Sequence, residues 1–544
     1  MSHSSYQNAC ETLARAVSRS INEKEMKPID LNRMKKEVGS EHHLNTLPKN
    51  SDILKELIKI EGLPLKPVFL DLLRRKKVRT ISGVAVVAAM TSPYPCPHGK
   101  CLVCPGGPDS VFESPQSYTG HEPAAMRGLQ HDFDPYKQVE ARLNQLSEIG
   151  HEVDKVELII MGGTITSRSP DYQQWFVKRS IEAMNDFGAP YPNKSPANDW
   201  KDVQRINETA RVRNTGITFE TRPDQCSKSH IERMLDLGVT KVELGVQHTD
   251  NDILRRINRG HTREDVIEAN RLLRDSALKV GFHMMPGLPG SDPELDFASF
   301  DEIFSNPDFM PDYLKIYPTL VVEGSEIAKL WEKGEYQPLT TESAAELISR
   351  IKPMIPPWTR LQRVQRDIPA DKILAGVKKS NLRQIARNLM EKAGKRCRCI
   401  RCREVGHRML EEVAFETGDL ALKIEQYACA GGVENFISID AVADDALVAF
   451  LRLRFPEDPF MNELDGAALI RELHVYGPIA PFENTGVAGW QHRGYGEWLL
   501  AKAEQVASDH GFSRIAVMSG IGVRGYYKRK GYETRGAFMI KEIQ

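Results

Sequence analysis

Three cysteines in one short loop have the residue type and spacing that redox chemistry requires. Cys96, Cys101 and Cys104 follow a β-branched apolar run in the pattern C-x4-C-x2-C, within a segment rich in Pro and Gly. Three thiolates can hold a [4Fe-4S] cluster by three of its irons, which leaves the fourth iron for a ligand that is not protein. An open iron suits S-adenosylmethionine (SAM), which would be chelated by its amino and carboxylate groups and reduced to a 5′-deoxyadenosyl radical.

A zinc site is the alternative for this loop, because C-x2-C is also a common half of a zinc site. His98 could supply a fourth ligand, although it lies between two of the cysteines. A disulfide is not expected, since the 544 residues include only nine cysteines and show neither a signal-peptide pattern nor an apolar run of membrane-spanning length. We therefore expect a cytoplasmic protein that binds no membrane.

A second set of cysteines lies near residue 400 in the pattern C-x-C-x2-C. Cys397, Cys399 and Cys402 stand among many basic residues, which lower thiol pKa values and favour metal binding. Zinc is the first choice of metal, with His407 as the nearest candidate for a fourth ligand. A second iron–sulfur cluster and unligated thiols are the alternatives. The remaining cysteines are solitary and are interpreted as packing residues: Cys10, Cys226 and Cys429.

The elements around the first cysteine loop alternate between apolar strands and amphipathic helices. This alternation predicts a parallel sheet that is buried on both faces. The predicted strands lie at 81–90, 155–163, 216–223, 241–247, 279–290 and 313–321. Six such units indicate a (β/α)6 partial barrel, whose active site would lie at the carboxyl ends of the strands.

Glycines and polar side chains occur where these predicted strands end. Paired glycines allow close backbone approach to a ligand, so the second strand's end is a candidate contact for the SAM amino group, although two glycines can also form a simple turn. The polar residues could bind SAM, line the active site, or pair with one another. The candidate cofactor-binding residues are Gly162, Gly163, Thr164, Glu220 and Gln247, and the candidate catalytic residues are Lys315 and Tyr317.

A second pattern, typical of a coenzyme A site, follows residue 470. The sequence QHRGYG matches Q/R-x-x-G-x-G/A and opens an amphipathic helix, whose backbone N–H groups would face a pyrophosphate. This is the signature of the GNAT acetyltransferases. Tyr526 or Tyr527 is placed to reach the thioester as a catalytic residue, and the other is expected to pack in the core. The candidate acetyl-CoA contacts are Glu472, Leu473, His474, Val475, Gln491, His492, Arg493, Gly494, Tyr495, Gly496 and Tyr526.

Positive charge is concentrated in two segments of a chain whose formal net charge is −1. Residues 1–90 contain 16 Lys and Arg against 10 Asp and Glu, a net of +6. Residues 376–408 contain 11 Lys and Arg against two Glu, a net of +9. Two such segments are consistent with docking of a polyanion such as RNA, and a solvated surface is the alternative interpretation.

The sequence thus predicts an α/β protein in which a radical-SAM (β/α)6 partial barrel is followed by a GNAT α/β domain. The length fits several domains, because single hydrophobic cores stop growing at roughly 250–300 residues. The expected parts are a helical, basic RNA-binding region at 1–75, the barrel at 76–390, a cysteine-rich metal-binding linker at 391–412 and the GNAT domain at 413–544.

Several segments of the chain resemble the catalytic subunit of Elongator, including its free-standing prokaryotic forms. They include CPGGPDS, FETRPD, MMPGLPG, ELHVYG and YYKRKGYE, and the resemblance covers nearly the whole chain. It implies a radical-SAM tRNA uridine acetyltransferase or carboxymethyltransferase. Such an enzyme acts on U34 in the anticodon loop, using SAM and acetyl-CoA to carboxymethylate carbon 5.

The combination of two cofactor sites has a chemical reason in this interpretation. A hydrogen atom taken from the acetyl methyl group would give a carbon radical able to add to C5, after which the thioester must be hydrolysed. The alternative function is a protein lysine acetyltransferase with a structural iron–sulfur cluster. A homodimer and other Elongator-type subunits both remain open as partners.

Overall fold

The N-terminal region consists of helices, as its sequence predicts. The computed structural model of the chain describes residues 3–22, 30–62, 65–74, 79–110, 113–189, 199–409, 420–477 and 494–543. The helices bury one apolar face each against the others, with Leu13, Ile53, Leu57 and Phe69 at the centre of this small core. They are α1 (His3–Asn22), α2 (Leu31–Glu41), α3 (Asn50–Glu61) and α4 (Pro67–Leu73).

A parallel sheet forms the middle of the chain. Its strand order is β1-β2-β3-β4-β5-β6-β8, so the six predicted strands follow one another in sequence order and a seventh is added at the far edge. Strands β7 and β9 form a separate antiparallel pair. The strands are β1 (Ala85–Met90), β2 (Lys155–Met161), β3 (Arg213–Thr221), β4 (Val239–Gln247), β5 (Lys279–Met284), β6 (Tyr313–Ile316), β7 (Val321–Val322), β8 (Arg360–Arg363) and β9 (Ile373–Ala375).

Helices cover the outer face of this curled sheet. Several of them begin with proline at the first helical position, where the missing N–H costs no hydrogen bond. None of the helices in the described part of the chain has the length and apolarity that a membrane crossing needs. They are α5 (Pro123–Gln130), α6 (Pro135–Glu148), α7 (Pro170–Asp186), α8 (Trp200–Asn207), α9 (Lys228–Asp236), α10 (Asn251–Arg256), α11 (Arg263–Asp275), α12 (Pro293–Ser305), α13 (Glu326–Glu332), α14 (Thr341–Ile351) and α15 (Leu382–Lys392).

The inner face of the curled sheet is polar. Side chains alternate across a strand, so every second residue points away from the helices. In β4 the residues that line the interior are Lys241, Glu243, Gly245 and Gln247, while Val242, Leu244 and Val246 pack in the hydrophobic core. The sheet therefore presents charged groups to its own cavity and apolar groups to its helices.

A second sheet of seven strands follows two short linking helices. Its order is β10-β11-β12-β13-β14-β16-β15, and every neighbouring pair is antiparallel except β13 and β14. The elements are α16 (Ile400–Arg403), α17 (Val405–Met409), β10 (Leu420–Cys429), β11 (Gly432–Ala441), β12 (Ala446–Phe455), β13 (Ala467–Val475), α18 (Tyr495–Asp509), β14 (Arg514–Val517), α19 (Arg524–Lys528), β15 (Glu533–Arg535) and β16 (Phe538–Glu542).

Buried ion pairs join the two sheets. Arg471 of β13 donates to both oxygens of Asp312, at 2.7 and 2.8 Å, and Asp312 directly precedes β6. Burial alone would raise the pKa of Asp312, but the guanidinium groups of Arg274, Arg471 and Arg452 hold it well below its usual range. Breaking one buried pair typically costs about 3–5 kcal/mol, so these contacts fix the second sheet against the amino end of β6.

Candidate active site

The first cysteine loop runs along the carboxyl ends of the barrel strands. Cys101 and Cys104 are buried and Cys96 is half-buried, and all three line one cavity. Each sulfur contacts a polar group: Thr164 Oγ1 lies 3.4 Å from Cys96 Sγ, and the backbone N–H of Ser117 donates to Cys104 Sγ at 2.9 Å. Donors of this kind stabilise thiolates, which are the form of cysteine that binds metal.

His98 is oriented by an arginine rather than left free to bind metal. Arg222 Nη1 lies 2.6 Å from His98 Nδ1, and a guanidinium can only donate, so Nδ1 must accept. The ring proton then lies on Nε2, which donates to Cys101 Sγ at 2.9 Å. Burial, together with Arg222 and Arg259, lowers the pKa of His98 to about 4, which keeps the ring neutral. This geometry disfavours the zinc interpretation of the loop.

The spacing of the sulfurs separates a cluster from a single ion. A tetrahedral zinc ion with Zn–S bonds of about 2.3 Å holds its sulfurs within about 4 Å of one another. In the described part of the chain, the only three cysteines whose sulfurs all lie within 4.8 Å are Cys397, Cys399 and Cys402. The loop cysteines are more widely spread, as three ligands to three different irons must be. The donor set and its spread fit a [4Fe-4S] cluster.

The glycine pair at the end of β2 allows a close approach of two backbones. Gly162 has φ +124°, and a Cβ there would lie 2.2 Å from Thr91 Oγ1 at the end of β1. Gly163 has φ +86° and, with Thr164, lines the cavity beside the cysteine loop. Gln247, at the end of β4, adopts φ +72°, a strained conformation for a residue with a side chain. These predicted residues therefore share one rim of the barrel.

Lys315 lies between two carboxylates in the barrel interior. Its Nζ is 3.0 Å from Glu220 Oε1 and also pairs with Glu243 Oε2, which His283 Nε2 approaches to 3.0 Å. Burial alone would lower the pKa of Lys315, but Glu243, Tyr317 and Glu220 raise it instead. Lys315 is therefore a fixed cation in an enclosed polar site.

Three residues of this interior were missed by the sequence analysis. Tyr118 donates to Glu220 Oε2 at 2.8 Å, and Glu243 and His283 complete the group around Lys315. Glu243 Oε1 is buried with no hydrogen-bond partner. Glu243 lies two residues from Lys241 and four from Gln247, which both face the barrel interior. Because side chains alternate along a strand, this spacing of polar residues in an otherwise apolar strand could have identified Glu243.

Tyr317 extends this interior toward the barrel mouth. Its ring meets the ring of His283 edge to face, with centroids 5.6 Å apart. It also lines the same cavity as Lys315, and burial raises the pKa of its hydroxyl. The two candidate catalytic residues of the barrel thus lie together.

The second sheet opens a cleft where β13 and β14 part. The two strands pair only from Ala467 with Arg514 to Ile470 with Val517, whereas β13 continues to Val475. Within this extension, the Glu472 side chain pairs with Arg452 Nε at 2.9 Å, and His474 Nε2 donates to Ser82 O at 2.8 Å. Those two side chains are held by the rest of the sheet and by the segment before β1, and all four residues from Glu472 to Val475 line the cavity.

The glycine turn that enters α18 faces the same cleft. Gly494 has φ +83° and immediately precedes the helix, which begins at Tyr495. A Cβ at Gly496 would lie 3.3 Å from Tyr526 Oη and 3.9 Å from both Leu473 and Val475. The predicted contacts Gln491, His492 and Arg493, and residues 478–490 before them, lie outside the described residues.

The two candidate tyrosines have different environments. Tyr526 Oη is buried without a hydrogen-bond partner, and burial together with Glu497 raises its pKa to about 12. Tyr527 packs its ring between Tyr526 and Tyr532 in the core of the second sheet. An unsatisfied hydroxyl beside Gly496 makes Tyr526 the better candidate for contact with a ligand.

One cavity connects the barrel interior with this cleft. Its volume is about 1770 Å³, and its lining includes the three loop cysteines, Lys315, Leu473, Gly496 and Tyr526. Pockets for small ligands usually measure about 300–1,000 Å³, so this space is large enough for more than one. Two candidate cofactor sites thus open into a shared interior.

Family models assign most of the chain. Residues 6–81 match the ELP3 N-terminal domain, residues 94–299 the radical SAM superfamily and residues 311–392 the radical SAM C-terminal domain. The radical SAM match covers the cysteine loop and strands β2 to β5. It implies a [4Fe-4S] cluster and SAM as the cofactors of the barrel.

Related proteins match nearly the full length. A protein of Methanocaldococcus infernus named tRNA uridine(34) acetyltransferase is 51% identical over 501 residues, which cover 91% of this chain and 92% of that protein. Human Elongator complex protein 3 is 40% identical over 531 residues, 95% of this chain and 94% of the human protein. The chain belongs to the Elongator complex protein 3 family. The resemblance drawn from its motifs is confirmed, and the chain is an enzyme of the radical SAM type.

A solved structure of this family has the same architecture. The archaeal Methanocaldococcus infernus Elp3 with an N-terminal deletion matches with a TM-score of 0.75 and 47% identity, covering 85% of this chain and 100% of that one. Its agreement supports the arrangement of the curled parallel sheet and the elements that follow it.

In this Elongator-family chain the second cysteine set lies in the protein interior. Cys397 and Cys399 belong to the hydrophobic core, and hydrogen bonds from Cys397 and Cys402 hold the pKa of Cys399 well below its usual range. His407 does not join them: its Nε2 lies 2.9 Å from Glu404 Oε1, and no fourth ligand completes the group among the described residues. His407 instead contacts Glu404, which also forms an ion pair with Arg360.

The basic segment at 376–408 is more internal than its composition indicates. Arg403 is buried against Asp440 at 3.4 Å, and Arg398 pairs with Asp445 at 3.0 Å. Lys395 and Arg396 are exposed. Only part of the net charge of this family member's segment can therefore meet a polyanion.

Proposed function

We propose that this chain carboxymethylates carbon 5 of uridine 34 in tRNA, using SAM and acetyl-CoA. The observation that supports this function best is the single cavity lined by both the cysteine loop and the Gly494–Gly496 turn. A reaction that joins a radical source to an acyl donor needs both in one enclosed space. The relatives named tRNA uridine(34) acetyltransferase support the choice of substrate.

The second sheet is proposed to be a GNAT-type acetyl-CoA domain. The parting of β13 from β14 and the glycine turn before α18 give a cleft with backbone N–H groups at a helix N-terminus, where a pyrophosphate would be favoured. Leu473 and Val475 would flank the pantetheine chain. The free hydroxyl of Tyr526 would donate to the thioester carbonyl, which suits a group with a pKa of about 12.

The barrel residues are proposed to position and enclose the reaction. Cys96, Cys101 and Cys104 would hold the cluster, and the backbone of Gly162–Thr164 with Gln247 would contact SAM at the barrel rim. Lys315 and Tyr317 would lie beside the uracil, with Lys315 donating to one of its carbonyl oxygens. Glu243 Oε1 is buried without a hydrogen-bond donor, although Lys241 Nζ lies 3.6 Å away, and it would accept the N3–H of the base.

The bound cofactors would supply the difficult chemistry, namely removal of a hydrogen atom from the acetyl methyl group as the start of a carbon–carbon bond to C5. The chain must keep water away from that step and admit it to the thioester afterwards. A deep shared cavity suits the first task. An anticodon-loop uridine is accessible to such a site, because an unstacked base can leave its strand and enter a pocket.

The compact cysteine set is proposed to hold a zinc ion with three thiolate ligands. Cys397, Cys399 and Cys402 have the sulfur spacing for one ion, and none of the three lines the shared cavity. The role of this ion would be structural.

The test is anaerobic incubation of the reconstituted chain with SAM, acetyl-CoA and tRNA, followed by mass analysis of the nucleosides. We expect one carboxymethyl group on uridine, dependent on both cofactors. Product that forms without SAM, or acetylated lysine in a protein substrate instead of modified tRNA, would contradict the proposal and favour the lysine acetyltransferase.

Two glycines of α18 offer a matched pair of variants for the acetyl-CoA site. Gly494 and Gly511 stand at opposite ends of the helix, both at φ +83° and both with open space around a new Cβ. Gly494→Glu should weaken acetyl-CoA binding at least tenfold, since it adds a negative charge where the pyrophosphate would lie. Gly511→Glu carries the same backbone strain and should leave that affinity unchanged.

A further inference from the structure

Three arginines gather at the free edge of strand β1. Arg79 precedes the strand, Arg127 lies on α5 and Arg142 on α6, and all three line the shared cavity. Arg127 Nη2 donates to Ala88 O of β1 at 2.6 Å, so it occupies an edge position of the strand. Three chain segments therefore bring guanidinium groups to one place.

No carboxylate of the described residues forms an ion pair with any of these arginines, although most arginines of the barrel and the second sheet are paired. Arg127 Nε is buried without a partner. Burial, together with the charges of Arg79 and Arg127, lowers the pKa of Arg142 to about 10. A cluster of like charges that repel one another, next to open space, is stabilised when an anion binds.

The cluster lies at the opening of the barrel. Strands β1 and β8 are the two edges of the curled sheet, and they pair with no further strand of that sheet. Arg401 also lines the cavity, and its pKa is lowered to about 10 by burial and by Arg383 and Arg360. Helices cover the outer face, and Ser82 and Arg360 both bond to Glu404 near the amino ends of the two edges, so the remaining gap between β1 and β8 is the route considered for a large substrate.

We propose that Arg79, Arg127 and Arg142 form a binding site for the RNA backbone phosphates that flank the uridine inserted into the barrel. This inference rests on tRNA being the substrate. A base that enters through the open edge carries its 5′ and 3′ phosphates to the rim, where guanidinium groups can bind them in bidentate fashion.

The phosphates of acetyl-CoA are the other source of the same chemistry. They are assigned to the start of α18 on the second sheet, whereas the three arginines belong to the β1 side of the barrel. Each nucleotide of an RNA strand carries one phosphate charge. A flipped uridine therefore brings two phosphates, one on each side, to the three arginines.

The experiment measures tRNA affinity of the full-length chain at several salt concentrations. The variant is Arg79→Gln with Arg142→Gln, which spares Arg127 because that residue holds the edge of β1. The control is Arg205→Gln with Arg255→Gln, two exposed arginines of α8 and α10 outside the cavity. A charge-keeping variant, Arg79→Lys with Arg142→Lys, tests whether charge is what matters.

We expect the glutamine variant to bind tRNA at least tenfold more weakly and to lower the slope of log affinity against log salt by about 1 to 2. The lysine variant should retain most of the affinity, and the control should match the wild type. Acetyl-CoA affinity and melting temperature should be unchanged in all of them.

Two results would overturn the site. One is a glutamine variant with wild-type tRNA affinity and salt slope, and the other is a variant that loses acetyl-CoA affinity while keeping that for tRNA. A wild-type chain that binds tRNA but leaves its uridine unmodified contradicts the proposed function instead, so the two failures are distinguishable.

Discussion

The two cysteine sets of this chain have the same number of thiols but opposite surroundings. Cys96, Cys101 and Cys104 are spread along a loop that lines the shared cavity, and each sulfur contacts a polar group. The compact set at 397–402 has its sulfurs within 4.8 Å of one another and lies in the core. A cofactor in the first set can meet a substrate, while a metal in the second can only connect parts of the protein.

The difference follows from the elements that hold each set. The loop cysteines lie between β1 and α5 in a segment without regular structure, so four intervening residues let Cys96 separate from Cys101. Cys399 directly precedes α16, and the N–H groups of Cys402 and Leu361 bond to its sulfur. Ile400 N also donates to Thr359 O, which ties this helix to β8. The spacing of the cysteines along the chain thus determines how far apart their sulfurs lie, and their burial determines whether a bound metal can contact a substrate.

The largest effect is expected from removing the loop cysteines. The triple variant Cys96→Ala, Cys101→Ala and Cys104→Ala should lose iron binding and SAM cleavage completely. Its melting temperature should change by less than about 3 °C, because a loop at a cavity contributes little to the core. Iron analysis after anaerobic reconstitution, with thermal unfolding in parallel, measures both. If this variant bound iron at the wild-type level, the loop cysteines would not be the cluster ligands and the contrast between the two sets would be wrong.

The compact set should show the reverse pattern. The triple variant Cys397→Ala, Cys399→Ala and Cys402→Ala should lose zinc, keep the iron of the loop site and unfold more easily by roughly 2–4 kcal/mol. The matched control removes the three solitary cysteines, Cys10, Cys226 and Cys429, which are also buried. If both triples lower stability equally and neither changes the zinc content, the compact set is not a metal site.

The sequence was sufficient wherever function depends on local pattern. The cysteine loop, the six strands and the turn before α18 are each set by neighbouring residues. The structure has the loop, the strands and Gly494–Gly496 where they were predicted, and residues 491–493 lie outside its described part. Strand β8 was missed because Arg360–Arg363 is short and polar, with no apolar run to mark it. Strand β8 forms by pairing with β6, a contact between distant segments that the local sequence pattern does not show.

Contacts between distant segments could not be predicted from spacing. His407 is close to the second cysteine set along the chain, yet it pairs with Glu404 because that carboxylate also holds Arg360 and needs donors on two sides. Charge counting failed for a similar reason: Arg403 contributes to the net charge of 376–408 but is buried against Asp440. Only the folded chain distinguishes a basic surface from a set of buried ion pairs.

The smallest effect concerns the one histidine of the cysteine loop. His98 donates to Cys101 Sγ from a neutral ring that Arg222 holds in place, and hydrogen bonds to cluster sulfurs raise the reduction potential by stabilising the more negative, reduced state. Removing a bond worth about 1 kcal/mol should lower the potential by roughly 40 mV for a one-electron couple. His98→Ala should show this shift in a redox titration followed by electron paramagnetic resonance, with iron content unchanged. His98→Gln keeps a donor near the same position and should recover most of it, whereas Lys100→Gln, in the same loop but bonded to Gly324 O, should leave the potential unchanged. A loss of iron in His98→Ala would mean that the histidine holds the loop together rather than tuning the cluster. The contrast with the compact set would then depend on the thiols alone.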